Sequence, residues 1–223
     1  MTEPAHSPRP TPADVSAARP TPADLETTRP TPAGSKTTRP TPADLEAAQD
    51  RTIPDLGGPG LRVLFSGINP SLYSAATGHH FARPGNRFWP ALHRSGFTDR
   101  QLHPSEQLEL PALGLGITNV VARATARADE LSPAELVAGG ARLAELVAAW
   151  RPRVLAVLGV TAYRAAFAAK KAVVGPQPDS FGNTVVWVLP NPSGLHAHYQ
   201  LAGLAAEFAR LRTAAEALPA SPT

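Results

Sequence analysis

Leu61-Arg-Val-Leu-Phe-Ser66 runs straight into Gly67-Ile68-Asn69-Pro70, and the reading of this stretch decides the fold. An apolar run of that length, stopped by Gly and Asn-Pro, predicts a buried strand that ends in a tight turn. Three later runs have the same character: Gly116-Ile-Thr-Asn-Val-Val121, Val154-Leu-Ala-Val-Leu158 and Thr184-Val-Val-Trp-Val-Leu189. Val154–Leu158 is apolar throughout, as in parallel strands covered on both faces. Helical patterns lie between the runs. Asn86 to Phe97 predicts a helix with Phe88, Trp89 and Leu92 on one side. Ser132-Pro133-Ala-Glu135 is a capping box with Pro at the first helical position, opening a helix through Leu136, Leu143, Leu146 and Val147 to Trp150. Gly159 leads into an Ala-rich helix through Tyr163 and Phe167, and Leu201, Leu204, Phe208 and Leu211 recur at helical spacing. Strands alternating with helices predict an α/β fold, a three-layer α/β/α sandwich around a short, mostly parallel central sheet.

Outward from this region the chain changes character. Residues 1–54 are rich in Pro, Thr and Ala, and Arg9-Pro-Thr-Pro-Ala-Asp14 recurs from Arg19, Arg29 and Arg39, with Gly34 replacing the Asp of the third copy. Pro at alternate positions removes backbone donors and favours polyproline II, and the unit has nothing with which to build a core. The expected organisation is a disordered repeat arm over 1–54, a folded domain over 55–217 and a disordered tail over 218–223. The arm reads equally as a tether, a docking tail or a neutral expansion, with no partner specified. Residues 1–50 carry 5 Lys/Arg against 7 Asp/Glu, and residues 51–223 carry 16 against 11. The folded part is thus mildly basic, which suits a phosphate-bearing partner but is also ordinary for a soluble domain.

Composition excludes several chemistries. The chain has no Cys, so disulfides, thiolate nucleophiles, Cys-ligated zinc and iron–sulfur clusters are out. No apolar stretch approaches the ~20 residues that span a bilayer, and the N-terminus lacks a hydrophobic signal core. The expectation is a cytoplasmic, nucleoid-associated protein with no membrane partner. Walker loop, dinucleotide fingerprint, nucleophile elbow and paired metal-ligand His are all missing, so neither metal nor cofactor is expected. In open α/β sheets ligands bind beyond the carboxyl ends of the strands. Gly67-Ile68-Asn69-Pro70 and Pro190-Asn191-Pro192-Ser193-Gly194 both fall there. The polar group of the first loop is an amide, Asn69, which cannot take a proton at neutral pH but can accept a hydrogen bond from water and hold it. An enzyme built this way must concentrate on the leaving group, with backbone N–H groups stabilising a departing anion.

Phe65-Ser-Gly-Ile-Asn-Pro-Ser-Leu72, Thr77-Gly-His-His-Phe81, Pro84-Gly-Asn-Arg-Phe-Trp89 and Asn191-Pro-Ser-Gly-Leu195 together resemble the mismatch-specific uracil/thymine DNA glycosylases of the uracil-DNA glycosylase superfamily. The resemblance runs from about Pro59 to Leu211. It implies a monofunctional glycosylase acting on double-stranded DNA with a G·U or G·T mismatch, with the target nucleotide flipped into a pocket. On this resemblance Asn69 is the catalytic residue, positioning the hydrolytic water against the sugar C1′. Phe81 stacks on the extruded base, and backbone amides around Ile68 and Phe81 receive its carbonyl oxygens. Gly67, Ser74, His80, Asn86 and Asn119 complete the base-binding pocket, Ser74 lying near C5 of the base. Neither His79 nor His80 is expected to be a catalytic base.

Asn191, Pro192, Ser193, Gly194, Leu195 and His196 resemble the family's wedge loop, in which Leu195 fills the gap left by the flipped nucleotide. Backbone groups near Gly194 and His196 would pair with the widowed guanine. One departure stands out: His196-Ala197-His198 occupies a place where some members carry an Arg. The resemblance also implies a monomer. Two other readings remain open, a mismatch- or abasic-site-binding module with little turnover, and an unrelated α/β hydrolase of free nucleosides. The latter leaves Leu195 and the basic surplus unexplained.

Overall fold

Every residue of β1 (Val63–Gly67), β2 (Leu115–Asn119) and β3 (Val154–Leu158) is buried. Successive side chains of a strand point to opposite faces, so such strands need cover on both sides. The computed structural model, which describes residues 39–193 and 200–219, supplies that cover. In chain order its other elements are α1 (Pro42–Glu46), α2 (Leu72–Thr77), α3 (Phe88–Arg94), α4 (Pro133–Trp150), α5 (Val160–Ala166), β4 (Gly175–Phe181), β5 (Thr184–Leu189) and α6 (Leu201–Ala217). The strands form one five-stranded sheet in the order β2-β1-β3-β5-β4, parallel except for the β4–β5 pair at one edge.

Each face has its own core. Phe65 and Val63 of β1 share one with Phe88 and Leu92 of α3 and Phe208 and Leu211 of α6. Leu64, Leu155 and Val186 share the other with Leu143 and Val147 of α4 and Tyr163 of α5. The first core is aromatic at its centre: the Phe65 ring meets Phe88 edge-on at 5.4 Å and lies stacked on Phe208 at 5.7 Å. Full burial of one such side chain contributes about 1.5–3 kcal/mol. This is the α/β/α sandwich with a mostly parallel sheet that the sequence predicts.

The structure departs from the sequence expectation in four places. The helix predicted from Asn86 to Phe97 is confined to Phe88–Arg94, with Arg87 at its N-cap; Asn86 stands outside it in an Asx turn, its Oδ1 accepting the Phe88 N–H at 2.9 Å. A strand absent from the expectation, β4, is formed by Gly175-Pro-Gln-Pro-Asp-Ser-Phe181, a composition that reads as a turn. It is half-exposed, lies at the sheet edge, and has irregular register between Pro176 and Ser180, which is where a strand tolerates Pro.

The third difference concerns the arm, expected to be disordered as far as residue 54. Residues 39–54 pack against the domain instead. Thr41 and Asp44 form a reciprocal capping box with Pro42 at the first helical position, which starts α1. The segment after the fourth repeat then supplies apolar groups: Ala48 and Ile53 are buried with Ala75 of α2 and Ala124. Backbone pairing of Asp50 and Arg51 with Ala124 fastens the segment. At the other end Leu218 packs on the first core and its carbonyl accepts from Arg153 at 3.1 Å, so the domain runs past residue 217. The expectations for residues 1–38 and 220–223 lie outside the described residues.

Candidate active site

Parallel strands end together, and here four of them bring their following loops to one edge of the sheet. The loops after β1, β2, β3 and β5 carry Ile68-Asn69-Pro70, Thr125, Gly159 and Asn191-Pro192-Ser193 respectively. Beneath them opens a cleft of about 770 Å³. Gly67, Ile68, Asn69, Ser74, His80, Phe81, Asn86, Asn119, Asn191, Pro192 and Ser193 all line it, so the structure gathers the expected site residues that it describes into one place. Gly194, Leu195 and His196 of the expected wedge, and His198 beyond them, lie outside the described residues.

Asn69 is held by both hydrogens of its amide. Nδ2 donates to the Arg123 carbonyl at 3.1 Å and to Thr125 Oγ1 at 2.7 Å. The carbonyl Oδ1 is therefore the group this side chain can offer to a ligand or a water. The carbonyls of Gly67 and Ile68 accept from Val120 and Val121 N–H, both at 2.9 Å, which pins the turn to the end of β2.

Phe81 stacks on Phe88 with ring centroids 4.2 Å apart, so the aromatic core reaches the cleft through this pair. Its φ of 54° is a left-handed conformation that costs a non-Gly residue and is held by its neighbours. The Ser74 hydroxyl accepts the Ala82 N–H at 3.2 Å, Gln107 Oε1 accepts the His80 N–H at 2.8 Å, and Trp89 Nε1 donates to the His80 carbonyl at 3.1 Å. Ser74, expected near the base, is thus also a clip for the loop that carries Phe81. Gly67 makes room for the ring: a Cβ there would lie 2.5 Å from Asn119 Oδ1 and 3.2 Å from Phe81.

Asn119 ends β2 and is 4 % exposed. Its carbonyl accepts from Arg142 of α4, whose guanidinium also pairs with Asp55 at 3.2 Å, while Asp55 accepts from Thr118 at 2.6 Å. The backbone at the end of β2, rather than the Asn119 side-chain amide, is thereby fixed from behind by charged groups that do not themselves line the cleft. His80 is buried, and burial pushes its pKa below the ordinary 6.5, leaving it neutral at pH 7 with Nε2 3.0 Å from the Pro54 carbonyl. The Pro54 carbonyl can only accept, so Nε2 is the protonated nitrogen of the neutral ring.

Several cleft residues escape the sequence reading. Arg83, Thr125, Arg127 and Asp129 line the cleft from loops with no periodicity and no recognisable spacing. Asp129 is the one carboxylate among its described lining residues. Its pKa is lowered by the Arg127 guanidinium, which donates to it from Nε at 3.0 Å, so it is ionised but a weakened base. Arg87 connects two of the expected motifs: its N–H donates to the Pro192 carbonyl at 3.0 Å and its guanidinium reaches the carbonyls of Pro192 and Ser193. An Asx turn, Ser193 N–H to Asn191 Oδ1 at 2.9 Å, completes that loop's described part.

The model of the uracil DNA glycosylase superfamily matches residues 54–216 of the chain. The chain belongs to the uracil DNA glycosylase superfamily. As a glycosylase of that superfamily it acts on DNA and hydrolyses the bond between a base and its deoxyribose. Its fold is similar to a protein of Methanosarcina acetivorans solved by solution NMR and assigned provisionally as a uracil DNA glycosylase, with a TM-score of 0.51 and 19 % identity. That similarity covers 73 % of this chain and 98 % of the other, so the glycosylase has the whole neighbour's fold plus further residues.

Proposed function

We propose that this glycosylase removes uracil from G-mismatched duplex DNA, by a monofunctional hydrolysis in which Asn69 holds the attacking water. The observation that carries the reading is the commitment of both Asn69 Nδ2 hydrogens to Arg123 and Thr125. It leaves Oδ1 to accept a hydrogen from a water, whose lone pair is then free for the sugar C1′. As the water oxygen bonds to C1′, the C1′–N1 bond breaks and uracil departs with the electron pair. The water's surplus proton passes to solvent. Backbone N–H groups of the Ile68 turn and the Phe81 loop would stabilise the departing anion.

The flipped base would lie on Phe81, with the Asn119 amide at its polar edge and Ser74 near C5. A small residue at Ser74 leaves room for a 5-methyl group, so thymine opposite guanine is a slower substrate in this reading. The loop from Asn191 to His196 would enter the duplex, Leu195 filling the vacated stack and backbone groups pairing with the guanine. Arg87, by gripping the carbonyls of Pro192 and Ser193, ties that loop to the motif that holds Asn86. One observation favours a second reading, a damage-binding module with little turnover. The water-holding group is an amide, and the cleft's carboxylate, Asp129, is engaged by Arg127.

The test uses end-labelled duplexes carrying G·U, G·T and A·U, with single-stranded U beside them, and alkali to cleave abasic sites. The expected order has G·U fastest and G·T slower. Equal rates on G·U, A·U and single-stranded U contradict the mismatch preference. Absence of cleavage at enzyme excess, together with tight binding of abasic duplex, supports the binding module.

A further inference from the structure

An asparagine amide has two orientations of nearly equal shape, related by a half-turn about its last bond. In one, Oδ1 faces the cleft and can take a hydrogen from water, leaving a water lone pair to attack. In the other, Nδ2 faces the cleft and would donate to the water, drawing electron density from the oxygen that must attack and leaving the water's hydrogens without their acceptor. A water-holding Asn therefore requires something that tells its two ends apart.

We propose that Thr125 is that positioning residue, acting on the hydrolytic step through Asn69; the proposal rests on the glycosylase reading above. The Thr125 hydroxyl has one hydrogen, and it is given to the Arg127 carbonyl at 2.7 Å. Only lone pairs remain to face Asn69, so at 2.7 Å the hydroxyl is an acceptor. The second partner, the Arg123 carbonyl at 3.1 Å, can only accept. Two acceptors demand the NH₂ end of the amide. A flipped Asn69 would set Oδ1 against both oxygens and lose both hydrogen bonds.

The selector is itself fixed. Thr125 is 2 % exposed, its N–H donates to the Pro70 carbonyl at 3.2 Å, and it forms a parallel bridge with Ser71. Arg123 is anchored through its guanidinium to Glu135 of α4 and to Asp50. The turn after β1 and the loop after β2 thus face each other through the Asn69 NH₂ group and the Thr125 hydroxyl, both with assigned partners. Thr125 reads the orientation of Asn69 without needing to touch the substrate.

Three variants separate this role from mere support. Thr125→Val keeps the shape and removes the acceptor, Thr125→Ser keeps the acceptor, and Asn69→Ala removes the target. Under single-turnover conditions on a G·U duplex, Thr125→Val is expected to cleave about 10-fold or more slowly, with binding of that duplex within about 2-fold of wild type. Thr125→Ser recovers most of the rate. Asn69→Ala/Thr125→Val cleaves no more slowly than Asn69→Ala, because the threonine acts only through the amide. Additive losses in the double variant, or an undiminished rate in Thr125→Val, overturn the proposal. The side-chain NH₂ signals of Asn69, identified by their loss in Asn69→Ala, give a readout that needs no activity. They should shift toward free-amide positions in Thr125→Val and stay in Thr125→Ser, and unchanged signals in Thr125→Val count against the proposal. A wild type that cleaves no uracil substrate removes the glycosylase reading alone, and the NMR result still decides whether Thr125 orients Asn69.

Discussion

At the residue scale the site depends on groups whose ordinary freedom has been removed. Gly67 is the clearest case, since a Cβ there would meet Asn119 Oδ1 at 2.5 Å. Gly67→Ala is expected to displace Asn119 and the Phe81 ring, costing about 1–3 kcal/mol of stability for the overpacking and at least ~10-fold in cleavage rate. Urea melts and single-turnover kinetics measure the two effects. His80 carries a pH dependence of definite sign. Its folded pKa lies below 6.5 because burial disfavours the charged ring. As pH falls through about 6.5 the unfolded chain takes up a proton that the folded one refuses, so folding loses stability on the acid side. Thermal midpoints from pH 7.5 to 5 should fall less in His80→Gln than in wild type, and parallel curves would contradict the assignment. The sequence makes Asn69 and Phe81 legible because each sits in a motif. Thr125 is not legible, because Ala122-Arg-Ala-Thr-Ala-Arg127 gives one hydroxyl among small residues no distinguishing pattern.

At the element scale the work is done by what anchors loops to regular structure. The capping box that opens α4 does two jobs: Glu135 closes it onto Ser132 and also grips Arg123, at the head of the loop that holds Asn69. The Arg123 guanidinium and the Ser132 N–H pull the Glu135 carboxyl down to about 2. A depressed folded pKa stabilises the fold fully above the unfolded value of 4.5 and loses its effect as pH falls toward 2. Ser132→Ala removes the cap and should lower stability by about 1 kcal/mol, read from denaturant midpoints at constant slope. This box is plain in the sequence because its spacing is local. Its second task is hidden there, since Arg123 meets Glu135 only once β2 and α4 are packed. The edge strand β4 is illegible for a different reason. Pro176 and Pro178 argue against a strand, and only its edge position, a tertiary property, makes them tolerable.

At the scale of the whole molecule, the parallel sheet gathers onto one edge the residues that the motifs scatter over more than a hundred positions. Helix order and hydrophobic period suffice to predict that sandwich, whereas the domain's start is decided by burial of Ala48 and Ile53, which composition conceals. A chain without residues 1–38 is the reference for the next truncation. Removing residues 1–54 strips Ile53, the Asp50 partner of Arg123 and the Pro54 acceptor of His80, and should cost roughly 2–4 kcal/mol. Equal stability of the two truncations would contradict the packing of residues 39–54. The decisive measurement is the release of free uracil from a G·U duplex, followed by chromatography for the full chain and for Asn69→Ala. The full chain is expected to release one uracil per abasic site formed, and the variant to lose about 100-fold or more in rate. Release at an undiminished rate by Asn69→Ala would contradict this assignment, because the hydrolysis would then not run through the cleft residue on which it rests.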